Sequence, residues 1–123
     1  MELRESGEDY LEAILNIETT KGVVRSVDVA NHLGVSKPSV SRAMGVLKNA
    51  GYIEQETYGD ISLTEKGRER AQGILRRHIT LTAFFTDILG VNEETASEDA
   101  CRVEHVLSQE TMDKLTEFLN KSK

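Results

Sequence analysis

The chain has 123 residues, 38% of them hydrophobic, and a formal net charge of −6, which fits one domain or two very small ones and excludes disordered and collagen-like classes. No run approaches the roughly 18 apolar residues of a membrane span, and the acidic start Met1-Glu2-Leu3-Arg4-Glu5 is no signal peptide, so a cytoplasmic protein without a membrane partner is expected. The net charge hides a split: residues 1–20 hold one base and six acids, residues 21–80 ten and six, and residues 81–123 four and nine, so a basic middle suited to phosphates lies between acidic ends.

Residues 5–19 place Tyr10, Ile14 and Ile17 at i, i+4 and i+7, with Leu11 and Ala13 widening the stripe, and predict an amphipathic helix that Lys21-Gly22 ends. Asp9 and Glu12 lie i, i+3 on a flank away from that stripe. Ser26 is the expected N-cap of a short helix over 27–33, closed by Gly34, and a further helix starts at Ser36 with Pro38 in its first turn. This second helix of the pair buries Val40, Ala43, Met44 and Leu47 and carries Lys37, Ser39 and Arg42 on its other face, up to Asn49-Ala50-Gly51. Residues 52–56 and 61–63, with Tyr58-Gly59-Asp60 between them, predict a β-hairpin. Thr64 caps a long helix through His78, Leu81, Phe84, Phe85 and Ile88 to Gly90, and two more helices are expected over 92–107 and 108–119.

Three helices followed by a hairpin is the order of a winged helix-turn-helix, and the basic segment coincides with it. The fold class expected is mostly α, a winged helix-turn-helix followed by an α-helical domain, with the boundary inside the long helix so that residues 1–72 and 73–123 form the two parts. In such a motif the second helix of the pair enters the major groove by its N-terminal residues. Ser36, Lys37, Pro38, Ser39 and Arg42 are the candidates there, with Arg42 able to read guanine and the Pro38 ring a thymine methyl. Arg25 and Tyr58 are placed on phosphate. The plainer alternative is that the helix pair is packing and Lys37 and Arg42 a solvated face.

The second constellation is Cys101-Arg102-Val103-Glu104-His105, which contains the only cysteine. It puts a thiol, a carboxylate and an imidazole at i, i+3 and i+4 on one helical face, the spacing at which they can converge on a transition metal. A buried thiol beside exposed polar residues fits the same spacing. One cysteine cannot form an intrachain disulfide, which leaves packing, ligation or redox chemistry.

Several stretches then match a family in order and spacing: Glu8-Asp9-Tyr10-Leu11-Glu12-Ala13-Ile14, Asp28 through Val40 with Gly34-Val35-Ser36-Lys37-Pro38-Ser39, Gly59-Asp60-Ile61-Ser62-Leu63-Thr64-Glu65-Lys66-Gly67, Arg77-His78, Leu89-Gly90-Val91, and Ala100-Cys101-Arg102-Val103-Glu104-His105-Val106-Leu107-Ser108. Over essentially the whole chain they resemble the metal-dependent repressors related to the diphtheria toxin repressor and the manganese transport regulator. The resemblance implies a two-domain member without the SH3-like domain of longer members, its second part being a metal-binding and dimerisation domain.

The same resemblance implies a metal site of Asp9, Cys101, Glu104 and His105, joined by Glu12 and His78 as in manganese-type members. Iron-type members carry methionine where this chain has Asp9, and manganese-type members carry glutamate where it has Cys101. Carboxylates favour Mn²⁺ and a thiolate softer ions, so Fe²⁺ is expected first and Mn²⁺ second, with Zn²⁺, Co²⁺ and Ni²⁺ binding in vitro. The ancillary site of iron-type members is not expected, because its glutamate and second histidine fall at Thr82 and Ser97. The function implied is a metal-activated repressor of metal-homeostasis genes. It would bind palindromic double-stranded DNA as a homodimer joined around Phe84, Phe85, Ile88, Val103 and Val106. The rival reading is a metal-independent winged-helix regulator with Cys101 as a redox switch. No small organic substrate and no enzyme activity are expected, since the ligand-rich segment leaves no general base for a metallohydrolase.

Overall fold

A computed structural model describes residues 5–56 and 59–122. The chain divides into two compact units, Met1–Gln72 and Gly73–Lys123. Among the described residues the elements run α1 (Glu5–Lys21), α2 (Ser26–Leu33), α3 (Lys37–Asn49), β1 (Ile53–Gln55), β2 (Ile61–Leu63), α4 (Glu65–Ala83), α5 (Glu93–Val103) and α6 (Gln109–Lys121), with a five-residue π-helical turn, Phe84–Ile88, after α4. No helix of the described residues is long and apolar enough to cross a membrane.

In the first unit α1 packs on α2, α3 and β2. Leu11, Ala13, Ile14, Leu15 and Ile17 of α1 are all buried, while Tyr10 is half-buried, so the sheltered arc is wider than the Tyr10 stripe and shifted from it. Val29 and Ala30 of α2 and Val40, Met44 and Leu47 of α3 complete the helical part of the core. The turn between α2 and α3 is made by Gly34 at φ +67, a left-handed conformation that costs little without a Cβ. α2 starts one residue earlier than the sequence predicts. Its N-cap is Arg25, whose amide donates to Asp28 Oδ2 at 3.0 Å, and not Ser26.

Strands β1 and β2 pair antiparallel with Ile53 opposite Leu63 and Gln55 opposite Ile61. Ile53, Ile61 and Leu63 are buried and the intervening Glu54 and Ser62 exposed, the alternation of a sheet with one wet face. The hairpin is tied down at its turn end on both strands: the Ile61 amide donates to the carbonyl of Val24, between α1 and α2, at 2.8 Å, and Lys48 Nζ of α3 donates to the Gln55 carbonyl at 2.8 Å. Helices α1 to α3 with this wing form a winged helix-turn-helix. Thr64 then caps α4 as expected, its Oγ1 accepting from the Gly67 amide at 3.1 Å.

The second unit centres on Leu81, Ala100 and Met112, with Phe85, Val103, Leu107 and Leu115 packed around them. Two predicted boundaries differ. The long helix does not stay regular to Gly90: after Ala83 it widens into the π turn. There the Thr86 hydroxyl donates to the Thr82 and Ala83 carbonyls at 3.0 and 3.3 Å, while the Leu89 and Val91 amides reach back to Phe84 and Phe85. Hydroxyl competition for carbonyls of this kind loosens the α ladder. Helix α5 stops at Val103 rather than at residue 107, so Glu104 is its C-cap and His105 lies in the turn beyond.

Candidate functional site

α3 presents one face of its first two turns to solvent. Ser36 caps the helix, its Oγ accepting from the Ser39 amide at 3.3 Å and lying 2.9 Å from Ser39 Oγ, and Arg42 Nη2 donates to Ser39 Oγ at 3.5 Å. Lys37, Pro38 and Arg42 are exposed and Ser39 half-buried, because Val40, Met44 and Leu47 take the opposite face into the core. Arg25 is exposed at the start of α2, with Nε 3.4 Å from Asp60 Oδ1 beside the wing. Tyr58 lies outside the described residues. The basic side chains therefore line the outer face of α3 and the approach to the wing, where a nucleic-acid backbone can be reached without disturbing the core.

In the second unit, three of the expected ligands meet. One ligand atom each from His78, Cys101 and Glu104 lie within 4.8 Å of one another. His78 Nδ1 is 3.1 Å from Glu104 Oε2 and 3.7 Å from Cys101 Sγ. Cys101 is exposed, the His78 side chain 20% exposed, and the Glu104 side chain only 1%. His105 Nε2 approaches the other oxygen of the same carboxylate, Oε1, at 3.5 Å. Of the expected Cys101-Glu104-His105 set, only Cys101 belongs to α5 proper, Glu104 being its C-cap and His105 lying in the turn beyond. His78 from α4 joins Cys101 and Glu104, and His105 meets the same carboxylate at its other oxygen.

Asp9 and Glu12, both half-buried, lie in α1 in the first unit. Ser97 and Arg77 figure in the sequence reading, but neither is given a supporting role there. Ser97 Oγ lies 3.4 Å from His78 Nε2, so the ring has a polar neighbour on the nitrogen turned away from Cys101 and Glu104. Its i, i+4 spacing to Cys101 on α5 was the available signal. Arg77 holds the carbonyls of Glu104 and Leu107, contacts 27 and 30 residues away that no local pattern encodes.

The donor set suits a divalent transition metal. A carboxylate withdrawn from water is costly unless compensated, and here it stands beside an imidazole nitrogen and a sulfur, a combination of intermediate softness. The expected dimer residues divide. Phe85 and Val103 pack against the core of their own unit. Val106 is 73% and Ile88 36% exposed, and Phe84 meets Phe85 and Phe118 edge-on at 6.2 and 6.1 Å.

Comparisons with known proteins agree with this architecture. Residues 2–61 match the model of the iron dependent repressor N-terminal DNA binding domain, and residues 64–123 that of the iron dependent repressor metal binding and dimerisation domain. An uncharacterised HTH-type transcriptional regulator of Methanocaldococcus jannaschii is 39% identical over 122 residues, covering 98% of each chain. The transcriptional regulator MntR of Salmonella typhimurium is 37% identical over 115 residues, 94% of this chain and 73% of that one. A solved manganese-dependent transcriptional repressor in complex with manganese superposes with a TM-score of 0.85 at 27% identity, covering 93% of this chain and 52% of that chain, so this protein spans about half the length of that solved chain. With both halves matched in order and a full-length relative at this identity, the chain belongs to the iron-dependent repressor family of metal-dependent transcriptional regulators.

Proposed function

We propose that this protein is a metal-activated repressor of metal-homeostasis genes, with residues 1–72 as its DNA-binding part and residues 73–123 as its metal-binding and dimerisation part. The observation that carries the reading is the meeting of His78, Cys101 and the buried Glu104 at one point in a chain whose α3 leaves Lys37, Pro38 and Arg42 open to solvent. Asp9, Glu12 and His105 join the proposed ligand set on the strength of the sequence resemblance. A bound divalent ion supplies positive charge that offsets the carboxylates and the thiolate.

The protein's own residues do the rest. The Glu104 side chain lies in a dry setting, where the attraction between a carboxylate and a cation is strongest. Cys101 gives up its thiol proton on ligation, so affinity falls at low pH. Cys101 and the carboxylates select against each other's preferred ion, which favours Fe²⁺ with Mn²⁺ second. Ser36, Lys37, Pro38, Ser39 and Arg42 of α3 meet the base edges, and Arg25 and Tyr58 the phosphates. Operator half-sites about one helical turn apart, roughly 34 Å, suit a two-fold dimer.

The decisive experiment selects DNA fragments with Mn²⁺-loaded protein, then titrates the recovered duplex in chelator, in anaerobic Fe²⁺, in Mn²⁺ and in Zn²⁺, for wild type and Cys101→Ala. Metal-dependent binding that weakens in Cys101→Ala supports the reading. Binding equal in chelator and metal, and lost on peroxide, replaces it with the metal-independent redox regulator.

A further inference from the structure

Helix α5 ends at Val103, so the carbonyls of its last turn have no partners further along a helix. Backbone amides close part of the turn that follows: Glu104 N donates to Ala100 O at 2.9 Å, Val106 N to Val103 O at 3.1 Å and Leu107 N to Val103 O at 3.3 Å. The carbonyls of Glu104 and Leu107 are taken instead by one nitrogen of Arg77, whose Nη1 donates to them at 2.9 and 2.8 Å. Its Nη2 donates to Gln109 Oε1 at 3.3 Å, in the first turn of α6. Ser108, between these anchors, caps α6 by accepting from the Thr111 amide at 3.1 Å.

Arg77 immediately precedes His78 on α4. One helix therefore offers His78 to the site and, from the adjacent position, grips the backbone of the residue that supplies the opposing carboxylate. A planar guanidinium with five fixed donors can do this, whereas an ammonium is a point charge on a flexible stem. We infer that Arg77 is a positioning residue of the metal centre, holding the 104–107 turn so that the Glu104 carboxylate faces His78 and Cys101. This inference rests on the metal-site reading given under Proposed function.

The test uses the full chain, Co²⁺ as the only added metal, and the variants Cys101→Ser, Arg77→Lys, Arg77→Ala and Gln109→Ala, handled anaerobically. Wild type is expected to develop a thiolate-to-Co²⁺ absorption that Cys101→Ser lacks. If it does not, the metal-site reading falls and the positioning role with it. Arg77→Lys and Arg77→Ala are expected to keep the wild-type far-ultraviolet circular dichroism while binding Co²⁺ about 10- to 100-fold more weakly, the usual loss for an outer-shell partner. Their Co²⁺ spectra should also change in band position or intensity. Gln109→Ala, which removes only the Nη2 contact, should lose less. Arg77 variants that bind Co²⁺ within about twofold of wild type and give the same spectrum overturn the inference, even if their Tm is lower, because that pattern marks a purely structural arginine. Should Arg77→Ala fail to fold, Arg77→Lys decides the matter alone.

Discussion

Gly67 lies where α4 passes the backbone of Tyr52, and a Cβ added there would stand 1.9 Å from the Tyr52 carbonyl oxygen. An interior helical Gly→Ala change ordinarily gains about 0.5–1 kcal/mol, yet here the backbone itself would have to move. Gly67→Ala is expected to lose about 1–3 kcal/mol in urea denaturation. Gly73, six residues further along the same helix, has only a side-chain nitrogen of Arg76 at 3.8 Å from such a Cβ, and Gly73→Ala should instead gain about 0.5–1 kcal/mol. Opposite signs in the two variants check the close approach directly.

Asp28 supplies a second test at this scale. Its carboxylate accepts from Lys21 Nζ at 2.7 Å and from the Arg25 amide at 3.0 Å. The Lys21 bond first, and then the Arg25 amide, hold its pKa below the ordinary value near 3.8. A carboxyl that is more acidic folded than unfolded adds stability above the unfolded value, and loses it as pH falls through the folded one. Asp28→Asn should therefore lower Tm at pH 7 and show a shrinking deficit below about pH 3.8, read by calorimetry across pH.

At the scale of elements, most periodic and capping signals were legible where they were local, although the cap of α2 falls at Arg25 and not at Ser26. The stripe of Val40, Met44 and Leu47, the Gly34 turn and the Thr64 cap are all read by neighbours within a few residues, and the structure keeps each of them. Element ends were less legible, because they depend on which distant group takes the last carbonyls or amides. Arg77 takes the carbonyls of Glu104 and Leu107 in the turn that follows α5. Thr86 diverts carbonyls of α4 into a π turn. The caps make a measurable prediction: Ser36→Ala and Ser108→Ala each remove an oxygen that accepts a backbone amide, and each should cost about 1 kcal/mol in urea unfolding. For Ser36→Ala the loss should also appear in DNA binding, since that cap orders the end of α3 proposed to meet the bases.

Across the whole molecule, the excess of acids at both ends and of bases in the middle explains how a chain of net charge −6 can belong to a family of DNA-binding proteins. Association driven by the basic segment should weaken with salt. Each phosphate contact contributes a slope of about −0.9 in the log–log plot, so Lys37→Ala, if it removes one such contact, flattens the slope by about that amount. Arg42→Ala is expected to lower discrimination between operator and random DNA by about 1–3 kcal/mol in competition assays. Oligomeric state is tested separately. Leu89 and Val106 are 60% and 73% exposed in the second unit, and a Val106→Glu variant should lighten the species seen by sedimentation while leaving circular dichroism unchanged. An unchanged dimer mass would remove Val106 from the proposed interface.

The amino-acid order by itself determined the mostly helical class, the wing after the third helix, the exposed basic face of α3 and the family. Each of these is written in short-range periodicity, turn residues or motif spacing. It also named His78, Cys101 and Glu104 as ligand candidates. Only the tertiary structure decided that His78 shares a point with Cys101 and Glu104 while His105 takes the other carboxylate oxygen. Where α5 stops and what Arg77 holds were likewise settled there. The reason is physical: spacing on an ideal helix tells which side chains share a face, but the turn beyond that helix is held by a hydrogen-bond partner 27 residues away in sequence, and a single residue of helix lost or kept turns a ligand by about 100°.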